Sequence, residues 1–378
     1  MTRESPAAHT GVDADACTAF GYHLPMQHPD WLQTAVQHLA DGLDAVVFRT
    51  SAKARQSTHP SQPMLRSGAR VPRLTLPGGP TGEPGDLVWA GQQDLAELAR
   101  RLARQPLALT LPRVPAASPS IDALRQAFRG RGWLRVSPAV GTPYIDLDAR
   151  WAEPTQHFNA GRRSDFRRAE RHADKLGGLS FSLHDNPEGA TLDRLLDEAY
   201  AVEAQSWKGQ EGTALQHDRQ LGPFFRDYAH AAARSGLLRL AFMHVGGQAV
   251  GMQISVVWQQ RLWLLKIGYD PAYARCSPGN LLMLHAVGRA ARDGLRSCEF
   301  LGSPAPWTTL WTTTLRACVQ VRAYPASMPG TLAWLEDAQR YVHQRWRRTV
   351  TQPVPSDGPV TLPAPLDATA RPSEETPA

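Results

Sequence analysis

The sequence predicts an α+β fold in which helices flank a mixed sheet. Helix-like and strand-like patterns follow one another along the chain between two polar, low-complexity ends. In the second half, three consecutive strand-like runs precede a helix and one more strand. Three runs joined by tight turns predict an antiparallel meander, and a strand reached through a helix predicts a parallel neighbour. Strands of both orientations are therefore expected in one sheet.

The first half shows short apolar segments with helical or alternating spacing. Trp31, Leu32, Ala35 and Leu39, for example, recur on one face of a helix. The predicted elements are a helix at 29–41, a strand at 45–49, long loops around a strand at 73–76 within 51–86, a strand at 87–90, a helix at 93–104, a strand at 107–112, a helix at 121–129 and a strand at 144–147.

The second half carries the clearest patterns. Val245-Gly246-Gly247 and Gln259-Gln260 are tight connections between strand-like runs. The predicted elements are an arginine-rich helix at 156–175, a strand at 179–184, helices at 192–207 and 223–235, strands at 236–243, 248–257 and 261–269, a helix at 278–293 and a strand at 298–301.

The length of 378 residues indicates two domains rather than one. We place them at 21–150 and 151–349. The segment 1–20 is mostly polar and small, and 350–378 is rich in proline with almost no bulky side chains. Such segments bury too little apolar surface to offset the entropy lost on ordering, so we predict two disordered tails.

The composition favours anionic partners. The formal net charge is +6, carried mainly by arginine, and the isoelectric point is about 9.3. The four cysteines lie far apart, which indicates neither a zinc site nor a disulfide framework. Residues 1–20 lack the apolar segment of a signal peptide, and polar residues interrupt the apolar stretch 237–257. We expect a cytoplasmic protein with no metal and no membrane insertion.

The most informative motif is Ser277-Pro278-Gly279, at the start of the helix predicted after the meander. Serine suits an N-cap and proline suits the first helical position. The amides of Gly279, Asn280 and Leu281 would then be free at the positive end of the helix dipole, with Arg275 just upstream. In this context the motif predicts phosphate binding, although the triplet alone is common where helices begin.

Several short sequence motifs in the second half resemble motifs of one known superfamily. They are Glu203-Ala-Gln-Ser206-Trp207-Lys208-Gly209, Lys266-Ile-Gly-Tyr269-Asp270, Ser277-Pro278-Gly279 and Glu299-Phe-Leu-Gly302. They resemble the GNAT acyltransferases, in the CelD-type branch that is linked to cellulose or exopolysaccharide synthesis and related to FemAB-type transferases. The resemblance covers 151–324 well and the first half loosely, which implies two tandem GNAT-like domains with the catalytic one second. The common loop Q/R-x-x-G-x-G/A is absent as such.

The resemblance implies an enzyme that moves an acyl group, such as acetyl, from acyl-coenzyme A directly to an amine in polysaccharide or cell-envelope metabolism. It assigns Arg275, Ser277, Gly279, Asn280 and Leu281 to the diphosphate of coenzyme A. The thioester would lie where the strands at 262–269 and 298–301 splay apart. Gly268 there marks either a bulge that frees a backbone N–H for the thioester oxygen or a simple bend.

For the general base we favour Glu203, followed by Glu299. Apolar neighbours of Glu203 would raise its pKa, but a structural carboxylate that binds an arginine or a backbone amide fits the same position. A Lys266–Glu299 ion pair is the simpler explanation of those two residues. Tyr269 either returns a proton to the leaving thiolate, as tyrosines do in many GNAT enzymes, or packs in the core.

The acceptor is expected to be a small-molecule or saccharide amine. Trp207 and Lys208 in the first motif, and Trp307 and Trp311 after the last strand, are its candidate contacts. Arg163, Arg167 and Arg171 form a stripe on one helix face that suits an anion or solvent. The alternatives are a FemAB-like transferase that uses aminoacyl-tRNA, the one case with a nucleic-acid partner, and a non-catalytic GNAT-fold binding protein.

Overall fold

The computed structural model describes residues 24–49, 61–67, 70–89, 91–206 and 214–350. Within these, the residues up to Trp334 belong to one compact unit, and those from Leu335 onward belong to a second. The predicted tail at 1–20, and all but the first residue of the tail at 350–378, lie outside the described residues.

Eleven strands of the described residues form one sheet in the order β1-β2-β3-β4-β11-β5-β10-β9-β8-β7-β6. The strands are β1 (Asp44–Arg49), β2 (Ser61–Arg66), β3 (Arg73–Thr75), β4 (Ala108–Pro115), β5 (Gly132–Asp146), β6 (Leu179–Asp185), β7 (Leu238–Val245), β8 (Gln248–Trp258), β9 (Arg261–Tyr269), β10 (Ser297–Glu299) and β11 (Leu315–Pro325).

The α-helices lie on both sides of this sheet. They are α1 (Pro29–Leu39), α2 (Gln92–Ala103), α3 (Pro119–Ala127), α4 (Ala160–Lys175), α5 (Gly189–Gln205), α6 (Leu221–Arg234), α7 (Pro278–Arg292) and α8 (Met328–Val350). Within the described residues, none of them is long and apolar enough to span a bilayer.

The predicted meander is confirmed. Strands β7, β8 and β9 pair antiparallel in sequence order, and β10 returns parallel to β9. Gly246 and Gly247 have φ values of 60° and 81°, and Gln259 and Gln260 have values of 49° and 57°. Two consecutive residues with positive φ give the turn whose twist matches that of the flanking strands. This architecture confirms the predicted α+β class, a mixed sheet flanked by helices.

The two halves exchange elements, which the sequence did not indicate. Strand β11 comes from the second half but lies between β4 and β5 of the first. Strand β5 in turn pairs antiparallel with β10. On one face of the sheet, Trp31 of α1 packs edge-to-face against Phe224 and Tyr228 of α6, with ring centroids 4.9 Å apart in both cases. The boundary between 150 and 151 stays a prediction, and many contacts cross it.

Two predictions for 51–90 are wrong. The segment 61–66 is strand β2 rather than loop, and 87–89 are not a strand. The backbone of Leu87 and Val88 is bonded by side chains instead. Leu87 O accepts from Gln27 Nε2 at 2.5 Å, and Val88 N–H donates to Gln62 Oε1 at 2.8 Å. An apolar run whose polar groups are satisfied in this way needs no neighbouring strand.

Helices cover both faces of the second-half sheet. One core lies between strands β7–β9 and helices α1, α5 and α6. The other lies on the opposite face, under α4 and α7. A third core, built by α2 and α3 on β4 and β11, supports the first half. Strands β7–β9 therefore lie in a part of the sheet that helices cover on both faces.

Candidate active site

The parallel strands β9 and β10 pair over only three residues. Arg261, Leu262 and Trp263 lie beside Ser297, Cys298 and Glu299. Strand β9 then runs on to Tyr269, whereas the chain after Glu299 turns away through Leu301 and Gly302, with φ values of 56° and 53°. A gap opens between 264–269 and 300–303. A reactive group could enter the sheet there.

Helix α7 begins at the mouth of this gap, but its first turn differs from the prediction. Ser277 is the N-cap residue, yet it is left-handed (φ 45°) and its side chain makes no capping bond. The N–H groups of Asn280 and Leu281 both donate to Ser277 O, at 3.1 and 3.0 Å, so these amides are not free. Among the described residues, Gly279 N–H meets no acceptor. One amide, rather than three, points out of the helix.

Tyr269 and Arg275 lie beside this free amide. The side chain of Tyr269 is 38% exposed, and its ring lies 3.8 Å from the position that a Cβ on Gly279 would take. Arg275 is exposed, and no partner of its guanidinium is found within the described part of the chain. An exposed cation and a free amide at a helix N-terminus are suited to a phosphate group.

The backbone of Tyr269 also faces the gap. Asp270 N–H donates to Val250 O on the β8 side, at 2.9 Å. Successive residues of a strand direct their N–H groups to opposite neighbours. Tyr269 N–H therefore points to the side from which β10 has departed, where a carbonyl oxygen in the gap could accept it.

Gly268 is explained by a close approach rather than by a bulge. A Cβ on Gly268 would lie 3.0 Å from Glu203 Cα on helix α5. The irregularity of the β8–β9 ladder lies at Leu265, between the pairs Ile254–Lys266 and Ser255–Leu264. Glycine is needed at 268 because α5 crosses the strand there.

Glu203 is 1% exposed, and its carboxylate binds backbone. Oε2 accepts from Leu215 N–H at 2.7 Å, so the side chain holds the segment that re-enters after α5. Ser206 Oγ donates to Glu203 O at 2.6 Å in the same place. These contacts favour the structural interpretation of Glu203 over that of a general base.

The Lys266–Glu299 pair predicted from the sequence is wrong. Glu299 is fully buried and bound by two arginines: Arg261 at 3.0 Å and Arg316, whose nearest contact is 2.7 Å. Ser297 Oγ also donates to it at 2.6 Å. Lys266 Nζ instead lies 4.5 Å from the ring centroid of Phe225. With its oxygens occupied in this way, Glu299 is suited to holding β10 against its neighbours.

The candidate acceptor residues separate into three groups. Trp311 is 7% exposed and packs edge-on against Phe158 at 5.5 Å, so it belongs to the core. Trp307 is 39% exposed, beside Phe300, and is available to a ligand. Trp207 and Lys208 lie outside the described residues.

The arginine stripe of α4 is only partly free. Arg163 Nη1 donates to Phe158 O at 2.9 Å, whereas Arg167 and Arg171 are exposed. The apolar side of the helix packs in the same core as Cys276. The stripe is therefore carried on a helix that supports the loop before α7.

Sequence reasoning missed a cavity of about 450 Å³ and the acid that lines it. Glu83, from the loop before β4, accepts a hydrogen bond from Gly302 N–H at 3.1 Å. Burial raises the pKa of Glu83, against the lowering effects of the Gly302 amide, Arg113 and Lys266. The sequence offers one weak signal of this site, since Glu83 and Asp86 are the acids of a loop that is otherwise rich in glycine and proline.

Arg113 completes this arrangement. Its guanidinium donates to Gly82 O at 2.7 Å, Val140 O at 2.9 Å, Gly141 O at 3.3 Å and also to Gly302 O. Glu83 thus binds the N–H of Gly302 and Arg113 binds its C=O, at the point where the chain leaves β10. We call these two residues the Gly302 clamp. Elsewhere, the described residues contain no cluster of three or more metal-ligating side chains.

The comparison with protein families bears directly on this region. Residues 160–308 match the family model for the acetyltransferase (GNAT) domain. The match makes this segment similar to GNAT acetyltransferase domains. The matched segment contains the gap between β9 and β10 and the start of α7, whereas Glu83 and Arg113 lie outside it.

The likeness to the solved structure of FemX extends beyond the matched segment. The chain is similar to FemX, with 11% identity and a TM-score of 0.53 over 84% of this chain and 96% of that one. It also matches the C-terminal domain (DUF2156) of a putative lysylphosphatidylglycerol synthetase from Agrobacterium fabrum (12% identity, TM-score 0.48, 82% and 95% covered). A tandem GNAT protein from the clavulanic acid biosynthesis pathway matches at 13% identity (TM-score 0.38, 72% and 81% covered). No curated protein matches the sequence significantly.

Proposed function

We propose that this protein is an acyl-coenzyme A-dependent N-acyltransferase that transfers an acyl group, such as acetyl, to an amine. The observation that carries the proposal is a GNAT domain whose parted strands open beside the free N-terminus of α7. A cytoplasmic location and a role in polysaccharide or cell-envelope metabolism, as in the CelD-type branch, are parts of the same proposal.

The donor site is assigned to the loop before α7. Gly279 N–H lies at the positive end of the helix dipole, and Arg275 supplies a charge beside it; together they suit a diphosphate. The hydrogen bonds from Asn280 N–H and Leu281 N–H to Ser277 O hold the backbone of this turn in place. Since Gly279 is exposed and carries no side chain, a phosphate can approach its amide closely.

The reaction requires the amine nitrogen to attack the thioester carbonyl carbon and the C–S bond to break. Tyr269 N–H, directed into the gap, would stabilise the negative charge that develops on the carbonyl oxygen. The exposed phenol of Tyr269 would donate a proton to the departing thiolate. Holding the amine and the thioester together in this gap places the nitrogen close to the carbonyl carbon that it attacks. Trp307, exposed beside Phe300, stays a candidate acceptor contact, as do Trp207 and Lys208.

One observation favours an aminoacyl-tRNA donor instead. Arg167 and Arg171 are exposed on α4, whose apolar side packs under the loop before α7, so a nucleic-acid backbone could lie along this face. The FemX likeness concerns the fold alone and does not decide between the two donors.

Titration of the full chain with acetyl-coenzyme A, followed by thiol release in the presence of primary amines, tests the proposal. We expect saturable binding in the micromolar range and amine-dependent release of coenzyme A. Binding without turnover on any amine would support a non-catalytic binding protein. Absence of acetyl-coenzyme A binding, together with transfer from aminoacyl-tRNA, would contradict the proposal and support the alternative.

A further inference from the structure

We propose that the acceptor amine binds in the cavity beside Glu83, with its ammonium group on the Glu83 carboxylate, and that Glu83 receives its proton. This inference rests on the proposed acyl transfer. It assigns the acceptor side of the reaction to the first half of the chain, outside the GNAT domain.

The cavity lies against the gap. Its volume is about 450 Å³, which is in the range of small-molecule sites. Its lining includes Ser303, the residue after Gly302, and so reaches the point where the chain leaves β10. Opposite, Lys266 on β9 is close enough to Glu83 for its charge to lower the pKa of that residue. Glu83 thus binds one of the two diverging segments, at Gly302, and lies within electrostatic range of Lys266 on the other.

Glu83 has one carboxylate oxygen available. Oε2 accepts from Gly302 N–H at 3.1 Å. Within the described residues, no donor is found for Oε1, and the residue lines the cavity. A half-buried carboxylate oxygen that lacks a donor is the group that an ammonium ligand would satisfy.

The charges around the cavity favour a cation. Three charged residues line it: Glu83, Asp86 and Arg113. The guanidinium of Arg113 is committed to four backbone carbonyls, so it cannot form a fork for an anion. Asp86 is held by Ser118 Oγ and Leu87 N–H. Lys266, which faces Glu83 from β9, lies over the Phe225 ring. Glu83 is therefore the charged group on the cavity wall that is available to a ligand.

The walls indicate the body of the ligand. Rings and aliphatic groups line much of the cavity, among them Trp31, Pro77, Pro112, Pro138 and Val140. Such walls suit a compact molecule with an apolar face, for example an aromatic amine or the face of an amino sugar. The ligand class is a primary amine on a ring-shaped body.

The chemistry balances with Glu83 as the proton acceptor. The ammonium group of the ligand loses one proton to Glu83 Oε1, and its nitrogen bonds to the thioester carbonyl carbon. The C–S bond breaks and the electron pair leaves with sulfur. The Tyr269 phenol gives its proton to the thiolate and takes up the surplus proton from the nitrogen. Glu83 then releases its proton to water. Burial raises the pKa of Glu83, which makes it a stronger base than an exposed glutamate.

The test uses full-length protein and two pairs of probes: phenethylamine with 2-phenylethanol, and glucosamine with glucose. Isothermal titration is performed on the wild type, Glu83→Gln and Glu97→Gln. Glutamine at 83 keeps an oxygen for Gly302 N–H but removes the charge. Glu97, on α2 and paired with Arg101 at 2.9 Å, is the matched control. We expect an amine to bind the wild type and Glu97→Gln, and to bind Glu83→Gln about tenfold or more weakly.

A second variant fills the cavity without altering Glu83. A Cβ on Gly79, which lines the cavity, would meet no atom within 4 Å, so Gly79→Trp is expected to fold and to block the amine. Binding of acetyl-coenzyme A is measured in the same proteins and should be unchanged. Failure of both amines to bind the wild type, or equal amine binding by the wild type and Glu83→Gln, overturns the inference. Loss of acetyl-coenzyme A binding in the wild type alone would overturn the donor proposal instead.

Discussion

Asp86 shows how strongly one buried carboxyl group can be perturbed in this fold. It is 2% exposed and accepts hydrogen bonds from Ser118 Oγ at 2.5 Å and Leu87 N–H at 2.8 Å. Burial raises its pKa to about 6 from an ordinary value of 3.8, because desolvation outweighs these hydrogen bonds. Between these two pKa values, Asp86 therefore keeps its proton in the folded chain and has lost it in the unfolded chain.

This difference predicts a specific pH dependence of stability. Between about pH 4 and pH 6 the folded state binds more protons than the unfolded state, so the free energy of unfolding falls as pH rises through this window. The loss from this residue is about 3 kcal/mol. Urea unfolding of wild type and Asp86→Asn across this range should show that asparagine removes this part of the fall. Parallel curves for the two proteins would contradict the prediction.

Residue types could be predicted at the site, but their partners could not. The sequence indicated apolar neighbours for Glu203, and this residue is buried. Glu299 is buried as well, more fully than its strand position indicated. The groups that bind them, Leu215 N–H for the first and Arg261 and Arg316 for the second, lie 12 to 38 residues away along the chain. Local patterns carry no information on such pairs, and the same holds for Glu83 and Gly302.

At the scale of elements, the short turn after β10 keeps the gap open. Leu301 and Gly302 both have positive φ, a conformation that a non-glycine residue adopts only when its surroundings hold it there. The Gly302 clamp provides this restraint, since Glu83 accepts from the N–H and Arg113 donates to the C=O.

Arg113→Lys tests the clamp. An ammonium group cannot reach carbonyls on three separate segments as the planar guanidinium does, so we expect a loss of about 2 kcal/mol in stability. Faster hydrogen exchange of the Gly302 amide should accompany it. Arg129→Lys, at an exposed position of the same half, is the control. Equal stability of Arg113→Lys and wild type would show that the clamp does not restrain the turn.

Elements were predictable where local pattern and turn chemistry agreed. The β7–β9 meander was found because its strands are apolar and its turns are two residues long. Strand β2 was missed because it lies in a segment rich in turn-forming residues, and 87–89 were misassigned because Gln27 and Gln62 replace a neighbouring strand. The start of α7 was located correctly, but the left-handed Ser277 that closes off two of its amides has no sequence signature.

At the scale of the whole molecule, the exchange of β11 makes the two halves interdependent. Strand β11 pairs with β4 and β5, and β5 pairs with β10. The order of elements could be read from the sequence, but this pairing joins strands more than 150 residues apart. A boundary in the chain is therefore not a boundary in the sheet.

The separate fragment 151–349 should consequently fail to fold. It leaves β11 without either neighbour and β10 without β5, which exposes unpaired strand edges. We expect no cooperative unfolding transition by circular dichroism and rapid amide exchange throughout. The fragment 24–350, which omits only the ends, is the control and should unfold in one transition. A cooperative transition in 151–349 would contradict this account.

The central claim is that Gly279 N–H, at the start of α7, binds the diphosphate of acyl-coenzyme A. Acetyl-coenzyme A titration of Gly279→Asp and Gly279→Ala tests it directly. A Cβ at this position meets only Tyr269, at 3.8 Å, and an acid in the first turn of a helix is favourable, so both variants should fold. We predict that alanine retains most of the affinity and that aspartate weakens it at least about thirtyfold through repulsion of the phosphates. Equal affinity of the two variants would contradict the claim.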